Sequence, residues 1–154
     1  MSYKASVIRV LEEAYDAETS DTVVECCKIL ENNGYEVVEK LDVEPVMSVI
    51  KDMVYNSTRE SDLVIILGGT GLLFEDVSPE ALHSIIDKQA TGIEIAMVHN
   101  ALKNDSSLSL YRCTAGTISN SFVLCIPGFK RSLSWFLDPV IEPVKSLIDL
   151  WKEG

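Results

Sequence analysis

The chain is short of positive charge: 13 Lys and Arg stand against 24 Asp and Glu, giving a formal net charge of −11. Duplex DNA and anionic membranes are bound through clustered cations that displace counterions, so no nucleic acid and no membrane is expected as a partner. No uncharged apolar run approaches the ~20 residues that a bilayer-crossing helix needs. Lys4 and Arg9 interrupt the opening residues where a secretory leader would be apolar. Cysteine is scarce, and Cys26, Cys27, Cys113 and Cys125 have the spacing of neither paired zinc ligands nor a redox dithiol. They read as small core residues, with a cytoplasmic location expected. Repeats, low-complexity tracts and Gly/Ser linkers are also missing, and 154 residues at 47% apolar content suit one domain over residues 1–154.

What is there alternates between two periodicities. Ala5 to Val10 reads as a first strand, and the acidic stretch Leu11 to Ser20 as a loop. Thr22 to Asn33 places Val23, Val24, Cys27 and Leu30 on one helical face, with Ser20 as cap and Gly34 as stop. Tyr35 to Leu41 reads as a strand, and Pro45 opens a helix carrying Val46, Val49, Ile50, Met53 and Val54. Asp62 to Leu67 is a continuous apolar run ending in glycine, as expected of a strand covered on both faces. Ser78-Pro79-Glu80 signals a helix start, with the Ser78 hydroxyl at the cap and Ala81 to Lys88 continuing it. Ile93 to Lys103 fits strand or helix, and helix is preferred. Ser121 to Ile126 is a further buried strand. A final helical pattern runs from Leu133 to Leu147, which Pro139 and Pro143 are expected to bend or split. The alternation predicts an α/β fold, a three-layer α/β/α sandwich with a mostly parallel central sheet.

Ligands in such sheets bind beyond the strand carboxyl ends. Gly68-Gly69-Thr70-Gly71 sits there, directly after the Asp62–Leu67 run, where glycine lets the backbone approach an anion without Cβ interference. The alternative is a tight strand-to-loop turn without a ligand. No Lys-Ser or Lys-Thr follows Gly71, which excludes a P-loop, and the spacing excludes the dinucleotide fingerprint. Asp76, just beyond the turn, is the candidate catalytic residue and metal ligand: its carboxylate suits Mg²⁺ held against phosphate oxygens, or else a loop aspartate at a helix start. His83 and His99 lack companion motifs and read as surface or interface residues. Lys130 and Arg131 face either a ligand or water, and Trp135 and Phe136 read as packing residues.

The segment GGTGLLFEDVSPEAL (68–82) resembles the signature of the molybdopterin-binding family of molybdenum cofactor biosynthesis, which comprises Mog- and MoaB-like proteins and the G domains of gephyrin-type proteins. TGIEIAMVHNALKNDSSLSLYRCTAG and FVLCIPGFKRS resemble later segments of the same family, in order, and Pro143 matches its late helix proline. The resemblance runs from about Asp62 to the C-terminus and is weaker before it. It implies an α/β/α sandwich, a homotrimer, and transfer of AMP from ATP to the terminal phosphate of molybdopterin with Mg²⁺, releasing pyrophosphate. It assigns Asp76 to catalysis and, with Glu44, to the metal. It assigns Gly68, Gly69, Thr70, Gly71, Ser78, Arg112, Gly116, Pro127, Gly128 and Ser20 to the substrate site, with Arg112 as a phosphate fork.

The sequence departs from the family pattern at Glu75, where a cation is usual, at Tyr111 and Phe129, where small hydroxyl residues are usual, and in the first loop, where Glu12-Glu13 and Glu18-Thr19-Ser20-Asp21 stand for the family's Ser-Asp and Asp-x-Ser-Gly. The acidic residues Glu12, Glu13, Asp16 and Glu18 otherwise read as a solvated loop. The departures leave a second reading open, a relative that binds molybdopterin or a protein partner without turnover. A third is an unrelated phosphate-ester enzyme with Asp76 as base or metal ligand.

Overall fold

A computed structural model describes residues 2–12 and 16–154, with backbone alone for 16–20. Its elements are β1 (Tyr3–Val10), α1 (Asp16–Asn32), β2 (Tyr35–Val43), α2 (Met47–Thr58), β3 (Leu63–Leu67), α3 (Ser78–His83), β4 (Lys88–Gln89), α4 (Thr91–Asn104), β5 (Thr114–Ile118), β6 (Ser121–Ile126) and α5 (Leu133–Glu153), with short 3-10 turns before β5 and α5. The strand order is β2-β1-β3-β6-β5-β4. The pairs β2-β1, β1-β3 and β3-β6 are parallel, while β6-β5 and β5-β4 are antiparallel.

Side-chain alternation along the strands builds two cores. Ala5 and Val7 of β1, Leu63, Ile65 and Leu67 of β3, and Phe122, Leu124 and Ile126 of β6 point to one face, where they meet α1, α4 and α5. Ile8, Val10, Val64, Ile66, Val123 and Cys125 point to the other, against α2 and α3. This is the expected three-layer sandwich. All five residues of β3 are fully buried, a gross transfer free energy on the order of 10 kcal/mol for that strand alone. Among the described residues all four cysteines are free thiols, three of them buried.

Several boundaries differ from the sequence reading. The helix α1 begins at Asp16, so Ser20 lies inside it and is not its cap. An acidic opening turn suits a helix N-terminus as well as it suits a solvated loop. Pro45 stands two residues before α2 instead of opening it. The hydroxyl of Ser78 does not cap α3; it donates to the Gly68 carbonyl at 2.8 Å. The expected continuation to Lys88 stops at His83, because the backbone N–H groups of Asp87 and Ala90 donate to Thr117 and Ala115 and draw Lys88-Gln89 into the sheet.

The helix over Ile93 to Lys103 is confirmed by α4. The last helix is not split: α5 runs through Pro139 and Pro143. Pro139 cannot donate to the Trp135 carbonyl, and the Asn100 side chain of α4 donates to that carbonyl instead at 2.8 Å.

Candidate functional site

From β1 the chain moves outward to β2, and from β3 it moves the other way to β6, so the sheet has its switch point between β1 and β3. A cavity of about 910 Å³ lies there, beyond the carboxyl ends of the four parallel strands. Leu11 and Glu12 enter it after β1, Glu44 and Pro45 after β2, Gly68 to Leu73 after β3, and Gly128 and Phe129 after β6; Glu75, Asp76, Leu110 and Tyr111 complete the lining.

The glycine turn takes its shape from positive φ at Gly68 (97°) and Gly69 (68°), where other residues are strained. Packing requires small residues as well: a Cβ at Gly69 would lie 2.3 Å from the Ser78 Oγ, and one at Gly71 would lie 2.6 Å from the Asp76 Oδ2. Ser78 is fully buried and grips the turn twice, through its hydroxyl to the Gly68 carbonyl and its N–H to the Gly69 carbonyl at 3.0 Å. It therefore shapes the turn from behind and does not line the cavity.

Asp76 Oδ2 accepts the Leu73 N–H at 3.0 Å, which folds residues 71–76 back so that this carboxylate lies against Gly71. Arg112 is placed differently from the phosphate fork that the resemblance implies. Its Nη2 donates to the Gly71 and Asp76 carbonyls at 2.8 and 3.0 Å, its Nε to Gly71, and its Nη1 pairs with Glu80. Those donors strap the loop, and Arg112 is not among the residues lining the cavity.

Gly116 also stands apart from the cavity. It belongs to β5, where a Cβ would come within 2.5 Å of both Ile86 and the Lys88 carbonyl, so its smallness serves the β4–β5 contact. Pro127 is buried behind Gly128, and the Gly128 carbonyl accepts the Thr22 hydroxyl at 2.9 Å. The side chain of Ser20 lies outside the described residues, and so do those of Glu13, Asp16 and Glu18. His99 is exposed on α4, His83 lies 3.4 Å from the Thr114 hydroxyl, and Arg131 pairs with Asp105.

Two departures from the family pattern meet in the cavity wall. The rings of Tyr111 and Phe129 pack edge to face, with centroids 5.0 Å apart and planes at 89°. Sequence reasoning treated them singly, because nothing in the spacing of 111 and 129 shows that the two loops converge. It also set Glu12 among solvated acids, whereas the Glu12 Oε1 accepts the Gly69 N–H at 2.6 Å. Its position two residues beyond the end of β1, at a switch point, was the available signal. Exposed Leu72, Leu73 and Leu110 are part of the cavity lining.

The chemistry of the lining is acidic and aromatic. Among the described residues, Glu12, Glu44, Glu75 and Asp76 contribute carboxylates to the lining, and neither lysine nor arginine does. Among the described residues no three or more His, Cys, Asp and Glu side chains gather to cage a metal. The donors present fit Mg²⁺ bound as it usually is, by one or two carboxylates with the remaining positions left to water and ligand phosphates.

A doubly wound sheet with a glycine turn at its switch point defines an α/β protein of the kind whose ligands bind beyond the strand ends. Residues 8–145 match the family described as the probable molybdopterin binding domain, and the chain belongs to that family. Gephyrin from Dictyostelium discoideum is 28% identical over 126 residues, covering 82% of this chain and 17% of that protein. The molybdopterin adenylyltransferase of Helicobacter pylori is 31% identical over 91 residues, covering 59% of this chain and 52% of that protein. This chain thus matches about half or less of the length of these two relatives. In fold it is similar to a molybdopterin biosynthesis protein from Mycobacterium abscessus, with a TM-score of 0.91 at 23% identity, covering 98% of this chain and 97% of that one.

Proposed function

We propose that this chain acts in molybdenum cofactor biosynthesis by binding molybdopterin in the cavity at the switch point, and that it adenylylates the pterin with ATP. The observation that carries this reading is the convergence of the glycine turn, Asp76, Glu44 and the Tyr111–Phe129 pair on one cavity of ligand size. The aromatic edge suits a flat heterocycle, and the glycine turn lets phosphate approach the backbone. In the reaction, an oxygen of the terminal phosphate of molybdopterin forms a bond to the α-phosphorus of ATP. The bond from that phosphorus to the bridging oxygen of the β-phosphate breaks, and pyrophosphate leaves.

Such transfers depend on positioning and charge neutralisation more than on a protein nucleophile. Asp76 and Glu44 would hold Mg²⁺, which neutralises phosphate charge when bound. Ser78 and Arg112 act through the loop they hold, fixing the turn and the backbone at Asp76. The family resemblance further supports residues 1–154 as one such domain, in a homotrimer located in the cytoplasm.

The test is incubation of the purified protein with molybdopterin, ATP and Mg²⁺. Adenylylated pterin and pyrophosphate are expected, and Asp76→Asn should lower turnover by at least about a hundredfold while leaving the unfolding free energy within about 1 kcal/mol of wild type. A second reading, a relative that binds molybdopterin without turnover, is favoured by the engagement of Arg112 within the protein and by Glu75 at the mouth. It predicts pterin binding with neither product. Absence of pterin binding overturns both.

A further inference from the structure

The first two amides of the glycine turn are both engaged within the protein. The Gly68 N–H donates to the Ile126 carbonyl at 3.0 Å, which joins the turn to the end of β6. The Gly69 N–H donates to the Glu12 carboxylate at 2.6 Å, the geometry of a charge-assisted hydrogen bond. The same Glu12 oxygen lies 3.3 Å from where a Cβ of Gly68 would stand, so it sits over Gly68 and at the Gly69 amide, where an anion bound to that amide would have to lie.

We propose that Glu12 is the resident anion of the glycine turn, and that a phosphate group reaches the Gly69 amide only by displacing the Glu12 carboxylate. This rests on reading the turn as the ligand-holding element. One N–H has one proton to share, and two anions competing for it repel each other in a cavity whose lining, among the described residues, carries the further carboxylates of Glu44, Glu75 and Asp76 and no lysine or arginine. Glu12 therefore sets specificity. It disfavours a free anion that brings only charge, and it admits a ligand whose ring contacts or bound cation offset the displacement. The carboxylate also keeps the buried turn's amide paired while no ligand is present, where an unpaired donor would be costly.

The test uses pyrophosphate as the probe, in EDTA, with the Gly69 amide followed by ¹H–¹⁵N NMR in the full chain. Saturating pyrophosphate should shift the wild-type Gly69 amide as its acceptor changes. Glu12→Gln should bind pyrophosphate at least about tenfold more tightly than wild type, the size of a relieved contact between neighbouring charges. Glu75→Gln removes one charge from the same cavity without touching the amide, and it should tighten binding by less than about threefold. Equal gains in the two variants would show a diffuse charge effect and overturn the proposal. So would an unchanged affinity in Glu12→Gln, a wild-type Gly69 amide indifferent to bound pyrophosphate, or a lack of pyrophosphate binding by both wild type and Glu12→Gln. Molybdopterin binding is read separately from pterin fluorescence, so failure here and failure of the pterin assignment are distinguishable.

Discussion

Replacing Gly69 by alanine isolates what the turn demands of its sequence. The residue has φ of 68°, and a left-handed conformation costs a non-glycine residue roughly 1–2 kcal/mol. The added methyl would also lie 2.3 Å from the Ser78 Oγ, so that hydroxyl must turn away from the Gly68 carbonyl. Leaving that buried carbonyl without its partner costs roughly another 1–3 kcal/mol. The sum, about 3 kcal/mol, is a large share of the roughly 5–15 kcal/mol that a domain has. With a urea slope near ~2 kcal/mol/M, the midpoint should fall by about 1.5 M. The two causes separate in a Ser78→Ala background, where no hydroxyl stands in the way: there Gly69→Ala should cost only the backbone strain. A double-mutant cycle read by urea unfolding should therefore return a coupling of about 1–2 kcal/mol. Additivity within ~0.5 kcal/mol would refute the claim that Ser78 is what excludes a side chain at 69.

Two further outcomes follow from the same geometry. Asn100→Ala should cost about 1–2 kcal/mol in wild type and markedly less beside Pro139→Ala, because an N–H at 139 restores the helical partner of the Trp135 carbonyl; equal costs in both backgrounds would refute the compensation. Alkaline pH should destabilise the fold: burial pushes the Cys113 and Cys125 thiols up to about 12 from 9.0, so the stability their neutral forms confer is present below about pH 9 and lost as pH rises toward 12, and a urea midpoint constant from pH 8 to 11 would contradict it.

How far the sequence carried the fold depended on whether a signal was local. The apolar runs 62–67 and 121–126 became β3 and β6 almost residue for residue, since a strand covered on both faces is written as uninterrupted Val, Ile and Leu. The pair β4–β5 was not legible, because Lys88-Gln89 is strand only through its bonds to Thr117 and Gly116, and Thr114 to Ile118 has no apolar alternation of its own. Pro139 misled for the opposite reason: its local effect is real, but an asparagine 39 positions earlier answers it. In the site, Gly68 to Gly71 and Asp76 were visible as a motif at a strand end. Glu12 and the Tyr111–Phe129 contact arise from loops that meet only once the sheet order is set.

Arg112 shows why a retained motif residue is a weak guide to retained chemistry. The family pattern keeps an arginine there, and a guanidinium beside a glycine turn suggests a grip on phosphate. In this chain the group bridges two carbonyls of the 71–76 loop and pairs with Glu80 of α3, so its donors serve the loop. Freeing it for a ligand would release Gly71 and Asp76 together, two positions that the proposed transfer would need held still. The charge of a bound phosphate must then be met by something the ligand brings with it or by the departure of Glu12. On the proposed function, the choice between catalyst and binder falls to Asp76, Glu44 and Glu12, which line the cavity, and not to Arg112, which does not.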